Sequence, residues 1–298
     1  MGLVLRTLLR NVWRHLRECL VCYHAIPWEH KTAGTRGLLY VLLAYAMTGQ
    51  WAWLPMLLNV VAALGVLMFA GAFDDYWDYR LSRDNNFLAL HIAAGCMSQP
   101  QALLWSCAPL ALTLPLLAVS PALGLPFQVI GLVLAGAVAL LVGYSMPPIR
   151  LKDRMPWGFF VCPVLASLLF LESWLLLTPL NLFAMLFAVL LFAFQCYAEA
   201  MHVIDNVLGE RVITTIRFST AVHLFRHLPL VSLVTALGFA LVSPRYLITA
   251  GCSLIRWVAV RRLVVERIHA VRRQLWNPVW LLYEFVAYAC VGIFHFAA

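Results

Sequence analysis

From Gly37 to Phe73, and again from Asn85 to Ile149, the chain carries no Asp, Glu, Lys or Arg. Each bare run exceeds the ~20 apolar residues of one bilayer crossing. Each therefore holds more than one helix, broken by uncharged turns. Only 11% of the chain is charged and 63% is hydrophobic, with a mean hydropathy of +0.87. A soluble domain is nearer one quarter charged. A soluble globule, a disordered chain, a collagen-like repeat and a disulfide-stapled scaffold are all excluded. What remains is an all-α integral membrane protein whose partner is the lipid bilayer.

Gly and Pro punctuate the runs. Thr48-Gly49-Gln50 with Pro55, Ser120-Pro121, Thr178-Pro179 and Ser243-Pro244 mark breaks. About nine transmembrane helices are expected, at 37–54, 55–76, 101–119, 124–144, 157–177, 180–201, 219–242, 245–262 and 277–296, forming one domain over 37–298. Of 21 Lys and Arg, only Arg245 falls on the side opposite the N-terminus. The positive-inside rule makes the loaded side cytoplasmic, with the N-terminus inside. The surplus of +8 thus sits in membrane-facing loops, and no nucleic-acid partner is expected. Apart from Glu172 and Glu284, every acid lies in the N-terminal arm or near the cytoplasmic end of a span. Chemistry is expected on that face, in a bacterial plasma membrane.

Residues 1–36 are expected to be a basic arm. Arg6, Arg10, Arg14 and Arg17 fall at helical spacing, with Leu5, Leu9, Val12, Leu16 and Leu20 on another face. That pattern suits an amphipathic helix on an anionic leaflet. Cys19-Leu-Val-Cys22 is a single CxxC without a second pair, a weak metal signal.

Two acidic clusters stand out. In Asp74-Asp75-Tyr-Trp-Asp78, Asp74 and Asp78 share a helical face, with Asp75 to one side. Like charges at the end of an apolar helix require cations. Mg2+ prefers oxygen ligands and bridges one or two carboxylates to phosphate oxygens, while Arg80 and Arg83 could attract phosphate. The alternative is a solvated helix end, its acids paired to Arg80 and Arg83. The second cluster, Glu199, His202 and Asp205, is a stripe at i, i+3, i+6. Two carboxylate-bearing helix ends facing each other are what a two-metal clamp on a diphosphate needs. Glu172 and Glu284 lie within spans and read as structural.

Between the fourth and fifth spans stands Tyr144-Ser145-Met146-Pro147-Pro148-Ile149-Arg150-Leu151-Lys152-Asp153-Arg154. The tandem Pro forces an extended turn and sets out a basic fork of Arg150, Lys152 and Arg154. With the acidic helix end before it, this loop resembles the UbiA superfamily of intramembrane prenyltransferases. The family's first motif is Asn-Asp-x-x-Asp-x-x-x-Asp. Here Asp74 replaces the Asn and Ser82 the last Asp, and Arg83 and Asn85 follow. The second motif is degenerate: anchored on Asp205 and Gly209, its first Asp is Met201.

The resemblance implies helical bundles around a central cavity, in which Mg2+ and an isoprenoid diphosphate bind. The diphosphate ionises and the allylic cation alkylates an acceptor, often aromatic or quinone-like. It places Mg2+ on Asp74 and Asp78 with Asp75 supporting, and a second ion on Asp205, with Glu199 as substitute ligand. Arg83, Arg150, Lys152 and Asn85 would bind the diphosphate, and Tyr144 would lie near the reacting carbon. Three other readings compete. One is a terpene cyclase on the same scaffold, which needs no acceptor. Another is a phosphosugar transferase to a polyprenyl phosphate. The last is a transporter or partner subunit without chemistry.

Overall fold

The structure, a computed structural model, describes residues 28–81, 87–208 and 216–262. The expected span 277–296, Glu284, the CxxC pair and most of the N-terminal arm lie outside the described residues. Those described are helical, without strands: α1 (Trp28–Thr48), α2 (Trp53–Arg80), α3 (Phe87–Ala93), α4 (Gln99–Cys107), α5 (Leu114–Val119), α6 (Phe127–Ser145), α7 (Trp157–Leu175), α8 (Leu182–Leu208), α9 (Phe218–Val242) and α10 (Leu247–Arg262). Among them, six segments are long and apolar enough to cross a membrane. The chain is an integral, multi-pass membrane protein.

The eight expected spans within the described residues fall on these elements with shifted ends, but the helices over 37–54 and 245–262 are not among the six long and apolar enough to cross a membrane. Helix α1 begins at Trp28, ahead of 37. Helix α8 runs on to Leu208, past 201, and so carries the whole second acidic cluster. The third crossing, 99–119, is also not one helix. Between α4 and α5 the segment Ala108–Thr113 is a 3-10 helix, because Pro109 and Pro115 remove backbone donors and crowd the preceding turn.

Among the described residues the two largest apolar cores lie side by side along the bundle. One joins Met47, Phe170, Trp174, Phe187, Leu191 and Phe239 from α1, α7, α8 and α9. The other joins Tyr45, Val66, Phe69, Ile130, Leu134 and Leu165 from α1, α2, α6 and α7. Helices α1 and α7 serve both and form the seam. Outward positions are apolar too: Leu241 is 91% exposed and Leu132 74%. Such surface is tolerable against lipid, where helices bury no extra hydrophobic area by leaving it. Several interior hydroxyls return to their own helices, as Ser106 Oγ donates to Ala102 O at 2.8 Å and Ser120 Oγ to Leu116 O at 2.6 Å. These hydroxyls are thereby satisfied without water.

Away from the acidic ends, Asn59 links α2 to Glu172 and Ser173 of α7. With its amide nitrogen toward the carboxylate, Nδ2 lies 2.8 Å from Glu172 Oε2, and Asn59 Oδ1 accepts from Ser173 Oγ at 2.9 Å. Glu172 is thus a fully buried, hydrogen-bonded crosslink.

Helix α2 meets the 3-10 segment at Gly65. A Cβ there would stand 2.6 Å from Pro109 O and 2.9 Å from Leu112 Cβ. Gly65→Ala is therefore expected to destabilise by about 1–3 kcal/mol through overpacking. Thermal unfolding in detergent checks this against Gly71→Ala, whose Cβ meets nothing within 4 Å. Equal unfolding temperatures for the two variants would remove the close contact.

Candidate functional site

Asp74 and Asp78 occupy the last two turns of α2, where the helix dipole is already negative. Their charges need partners, and those partners come from the loop after α6, over 70 residues on. Lys152 Nζ lies 2.8 Å from Asp74 Oδ1 and 2.5 Å from Asp78 Oδ1. Arg150 Nη2 donates to Asp78 Oδ1 at 2.8 Å. Ser145 Oγ, in the last turn of α6, donates to Asp74 Oδ1 at 2.8 Å. The side chains of Arg150, Lys152 and Asp78 are only 7%, 10% and 13% exposed. At such burial an ion pair is screened little by solvent, and breaking it is costly.

The loop that delivers these cations is tightly specified. Met146 is extended ahead of the tandem Pro, as the residue before a proline should be. Arg150 has φ 37° and ψ 65°, the left-handed region that a side chain enters at a cost of about 1–2 kcal/mol. Three bonds hold it there. Nε donates to Asp153 Oδ2 at 2.7 Å, Nη1 to Ser145 O at 3.0 Å and Nη2 to Asp78. The second of these satisfies a carbonyl orphaned at the end of α6. Burial alone would lower the Arg150 pKa, but the bonds to Asp78 and Asp153 raise it past the ordinary arginine value. The guanidinium stays charged. Beneath the loop, Gly158 in the first turn of α7 admits no Cβ, which would stand 2.7 Å from Lys152 Cα and 2.8 Å from Leu151 O.

Tyr144 borders this cluster. Its ring centroid is 5.9 Å from Lys152 Nζ. Glu199, half-buried on α8, accepts from Gln195 Nε2 at 3.1 Å. Asp75 is half-buried beside the pair. Asp205 lies on α8, but its side chain is outside the described residues, as are Arg83 and Asn85.

The structure thus brings together Asp74, Asp78, Arg150, Lys152 and Tyr144. It sends two of the expected cations elsewhere. Arg80 Nη1 donates to Gln99 Oε1 at 2.7 Å on the surface, so the acids are not paired to it. Arg154 Nη2 braces the loop through Pro148 O at 2.7 Å. Sequence reasoning assigned no role to Ser145, Asp153 or Gly158. The first two stood inside the quoted loop, and their short spacing to Arg150 was the available signal. The need for Gly158 depends on how the loop folds onto α7 and leaves no mark in spacing.

Whether these residues suit a divalent ion can be tested on their donors. Two carboxylate oxygens converge on one cation, the Lys152 ammonium. Among the described residues no set of three or more His, Cys, Asp or Glu side chains converges. A carboxylate pair with open positions matches Mg2+, which keeps waters and takes phosphate oxygens. It does not match a closed zinc site. The donors fit.

No family model and no curated protein sequence matches the chain. Solved structures do. The chain is similar to a digeranylgeranylglyceryl phosphate synthase at a TM-score of 0.65 and 15% identity, covering 88% of this chain and 93% of that one. It is also similar to a UbiA homolog from Archaeoglobus fulgidus bound to GPP and Mg2+, at a TM-score of 0.63 and 17% identity, covering 89% and 99%. The same homolog bound to Cd2+ gives 0.61 and 17%. The chain has the UbiA fold. At these identities the likeness is one of architecture. Within the UbiA fold of this chain, the acidic end of α2 and the basic loop after α6 are in direct contact.

Proposed function

We propose that the chain is a Mg2+-dependent intramembrane prenyltransferase. In this reading it ionises an isoprenoid diphosphate and transfers the prenyl group to an acceptor, aromatic or quinone-like. The observation that carries this is the contact of Lys152 and Arg150 with Asp74 and Asp78. Cations and carboxylates meet there at one end of an apolar bundle, as binding a metal–diphosphate requires. The UbiA homolog bound to GPP and Mg2+ supports the same substrate class.

The residues take the following roles. Asp74 and Asp78 hold Mg2+, Asp75 supports them, and Asp205 with Glu199 serves a second ion. When bound, the metal neutralises charge on the departing diphosphate. Arg150 and Lys152, with Arg83 and Asn85, grip that diphosphate and orient the C–O bond to be broken. Tyr144 lies beside the allylic carbon, where an aromatic face tolerates positive charge. The bundle excludes water, which would otherwise trap the cation. Heterolysis leaves the electron pair on the diphosphate. A carbon–carbon bond forms to the acceptor, which then releases a proton. The active face is cytoplasmic by the distribution of Lys and Arg, and a bacterial plasma membrane is the proposed location.

The test uses protein purified in detergent with Mg2+ and C10 to C20 allylic diphosphates, with and without an aromatic acid or membrane extract. Diphosphate release and product mass are followed. An acceptor adduct is expected. A cyclised terpene formed without acceptor would make the protein a terpene cyclase. Absence of diphosphate release under every condition would overturn the enzymatic reading.

A further inference from the structure

Two neighbouring helices change character at one level. On α9 the exposed positions His223, His227, Leu230, Val234, Leu237 and Leu241 follow one another at steps of four and three, which makes them one face. Arg226 is exposed beside His227. On α10 the exposed stripe is Leu247, Gly251, Leu254, Val258 and Arg261, with Arg262 exposed beside its end. Each stripe is apolar along most of its length and basic at one end. The helices are joined by the short turn Pro244–Tyr246 and pack against each other, so they run in opposite directions. Arg256 Nη2 donates to Ser232 Oγ at 2.8 Å and fixes their register. Arg226 stands six residues before Ser232, and Arg262 six residues after Arg256. At 1.5 Å per residue both lie about 9 Å from that bond, toward the same end. His227 and Arg261 match in the same way.

A switch from apolar to basic at a common level is the mark of the boundary between hydrocarbon and headgroups. These cations are not neutralised within the hairpin. Residues 216–262 contain no Asp or Glu, and among the described residues Arg226, Arg261 and Arg262 form no ion pair. Arg150 and Lys152, by contrast, are committed to Asp74 and Asp78. The Arg261 guanidinium carbon lies 5.3 Å from the centroid of the Trp257 ring, a contact that keeps the charge at the helix surface. Guanidinium N–H pairs match phosphate oxygens in geometry and charge. A soluble anion would use only the cations. An anionic phospholipid uses both halves of the surface, its phosphate on the arginines and its acyl chains along the apolar stripes.

We propose that the α9–α10 hairpin carries a binding site for an anionic phospholipid of the surrounding bilayer. Arg226, Arg261 and Arg262 hold the headgroup phosphate, and Leu230, Val234, Leu254 and Val258 bed the acyl chains. The site is separate from the carboxylates of α2 and stands whether or not the chain is a prenyltransferase. Each cation near an anionic headgroup changes affinity about fivefold, so the three together are worth about a hundredfold.

The experiment titrates dioleoylphosphatidylglycerol into full-length protein in a neutral detergent and counts the retained lipid by native mass spectrometry. Dioleoylphosphatidylcholine and glycerophosphoglycerol are run beside it. The first has the same chains without net charge, and the second has the headgroup without chains. Tight retention of phosphatidylglycerol alone is expected. Equal retention of phosphatidylcholine would overturn the part given to the arginines, and equal affinity for glycerophosphoglycerol would overturn the lipid. The triple variant Arg226→Gln, Arg261→Gln, Arg262→Gln should bind phosphatidylglycerol about a hundredfold more weakly. Its unfolding temperature in lipid-free detergent should be unchanged, because all three side chains are exposed and surface substitutions cost little. Arg245→Gln, at the opposite end of the same hairpin, is expected to bind as the parent protein does. An affinity of the triple variant within about threefold of the parent's would overturn the proposal, as would an equal loss in Arg245→Gln. Should the triple variant fail to fold, Arg226→Gln alone decides through its expected fivefold loss, about one cation's worth, and undiminished binding there overturns the proposal.

Discussion

Asp78→Asn is expected to lower turnover about a thousandfold, equivalent to about 4 kcal/mol of transition-state stabilisation, in the diphosphate-release assay. A single oxygen, Oδ1, receives both Arg150 Nη2 and Lys152 Nζ. The asparagine keeps an acceptor there and so keeps the hydrogen bonds. It removes the charge that a metal requires and leaves Lys152 with Asp74 and Arg150 with Asp153 as their remaining carboxylates. Removing one partner of a buried pair costs about 3–5 kcal/mol when the other is stranded. The retained acceptor makes the cost to folding smaller than the cost to activity. Asp153→Asn is the internal comparison. Asp153 contacts the same guanidinium through Nε but is 26% exposed, and its loss should cost about tenfold in turnover. Turnover of Asp78→Asn within tenfold of the parent protein would remove Asp78 from the metal site.

Lys152→Met should move two measurements in opposite directions. The ammonium of Lys152 bridges Asp74 and Asp78 through the oxygens assigned to Mg2+. An ammonium and a metal cannot share that position, so in the proposed reading metal binding would displace Lys152. The freed side chain then becomes available to the diphosphate. Methionine preserves the unbranched stem and discards the charge. Mg2+ binding in the absence of diphosphate is expected to tighten about tenfold, or about 1.4 kcal/mol, because the competitor is gone. Turnover at saturating Mg2+ is expected to fall about 100- to 1,000-fold, because a donor to the leaving group is gone. Isothermal titration and single-turnover kinetics separate the two. Weaker Mg2+ binding in the variant would exclude a shared position, and unchanged turnover would remove Lys152 from the diphosphate site.

Much of this arrangement was legible in the sequence, for identifiable physical reasons. Stretches without charge, interrupted by Gly and Pro, can only be helices in lipid, so eight expected spans fall on helices. The break at Ala108–Thr113 was not anticipated, since 101–119 was taken as one span despite Pro109 and Pro115. Asp74 and Asp78 were found because acids at an apolar helix end demand cations. Which cations answered was harder to see. Arg80 is two residues from Asp78 yet turns outward to Gln99, while Arg150 and Lys152 arrive from a loop over 70 positions later. The family resemblance assigned Arg150 and Lys152 to a diphosphate and the acids to Mg2+, so the two groups were expected in one site but their direct ion pairs were not.

The 3-10 segment in the third crossing has a further geometric consequence. A 3-10 helix rises about 2.0 Å per residue against 1.5 Å for an α-helix, so its six residues make this crossing about 3 Å longer than an unbroken helix of the same sequence. At about 35 Å it exceeds the ~30 Å hydrocarbon layer, whereas the 19 residues of α6 span about 28 Å. Adjacent crossings thus prefer different bilayer thicknesses, a mismatch met by tilt or by local thickening of the lipid. The longer one abuts α2 at Gly65, about two and a half turns from Asp74 on the same helix. Lipid acyl-chain length thereby gains a mechanical connection to the helix that carries both carboxylates.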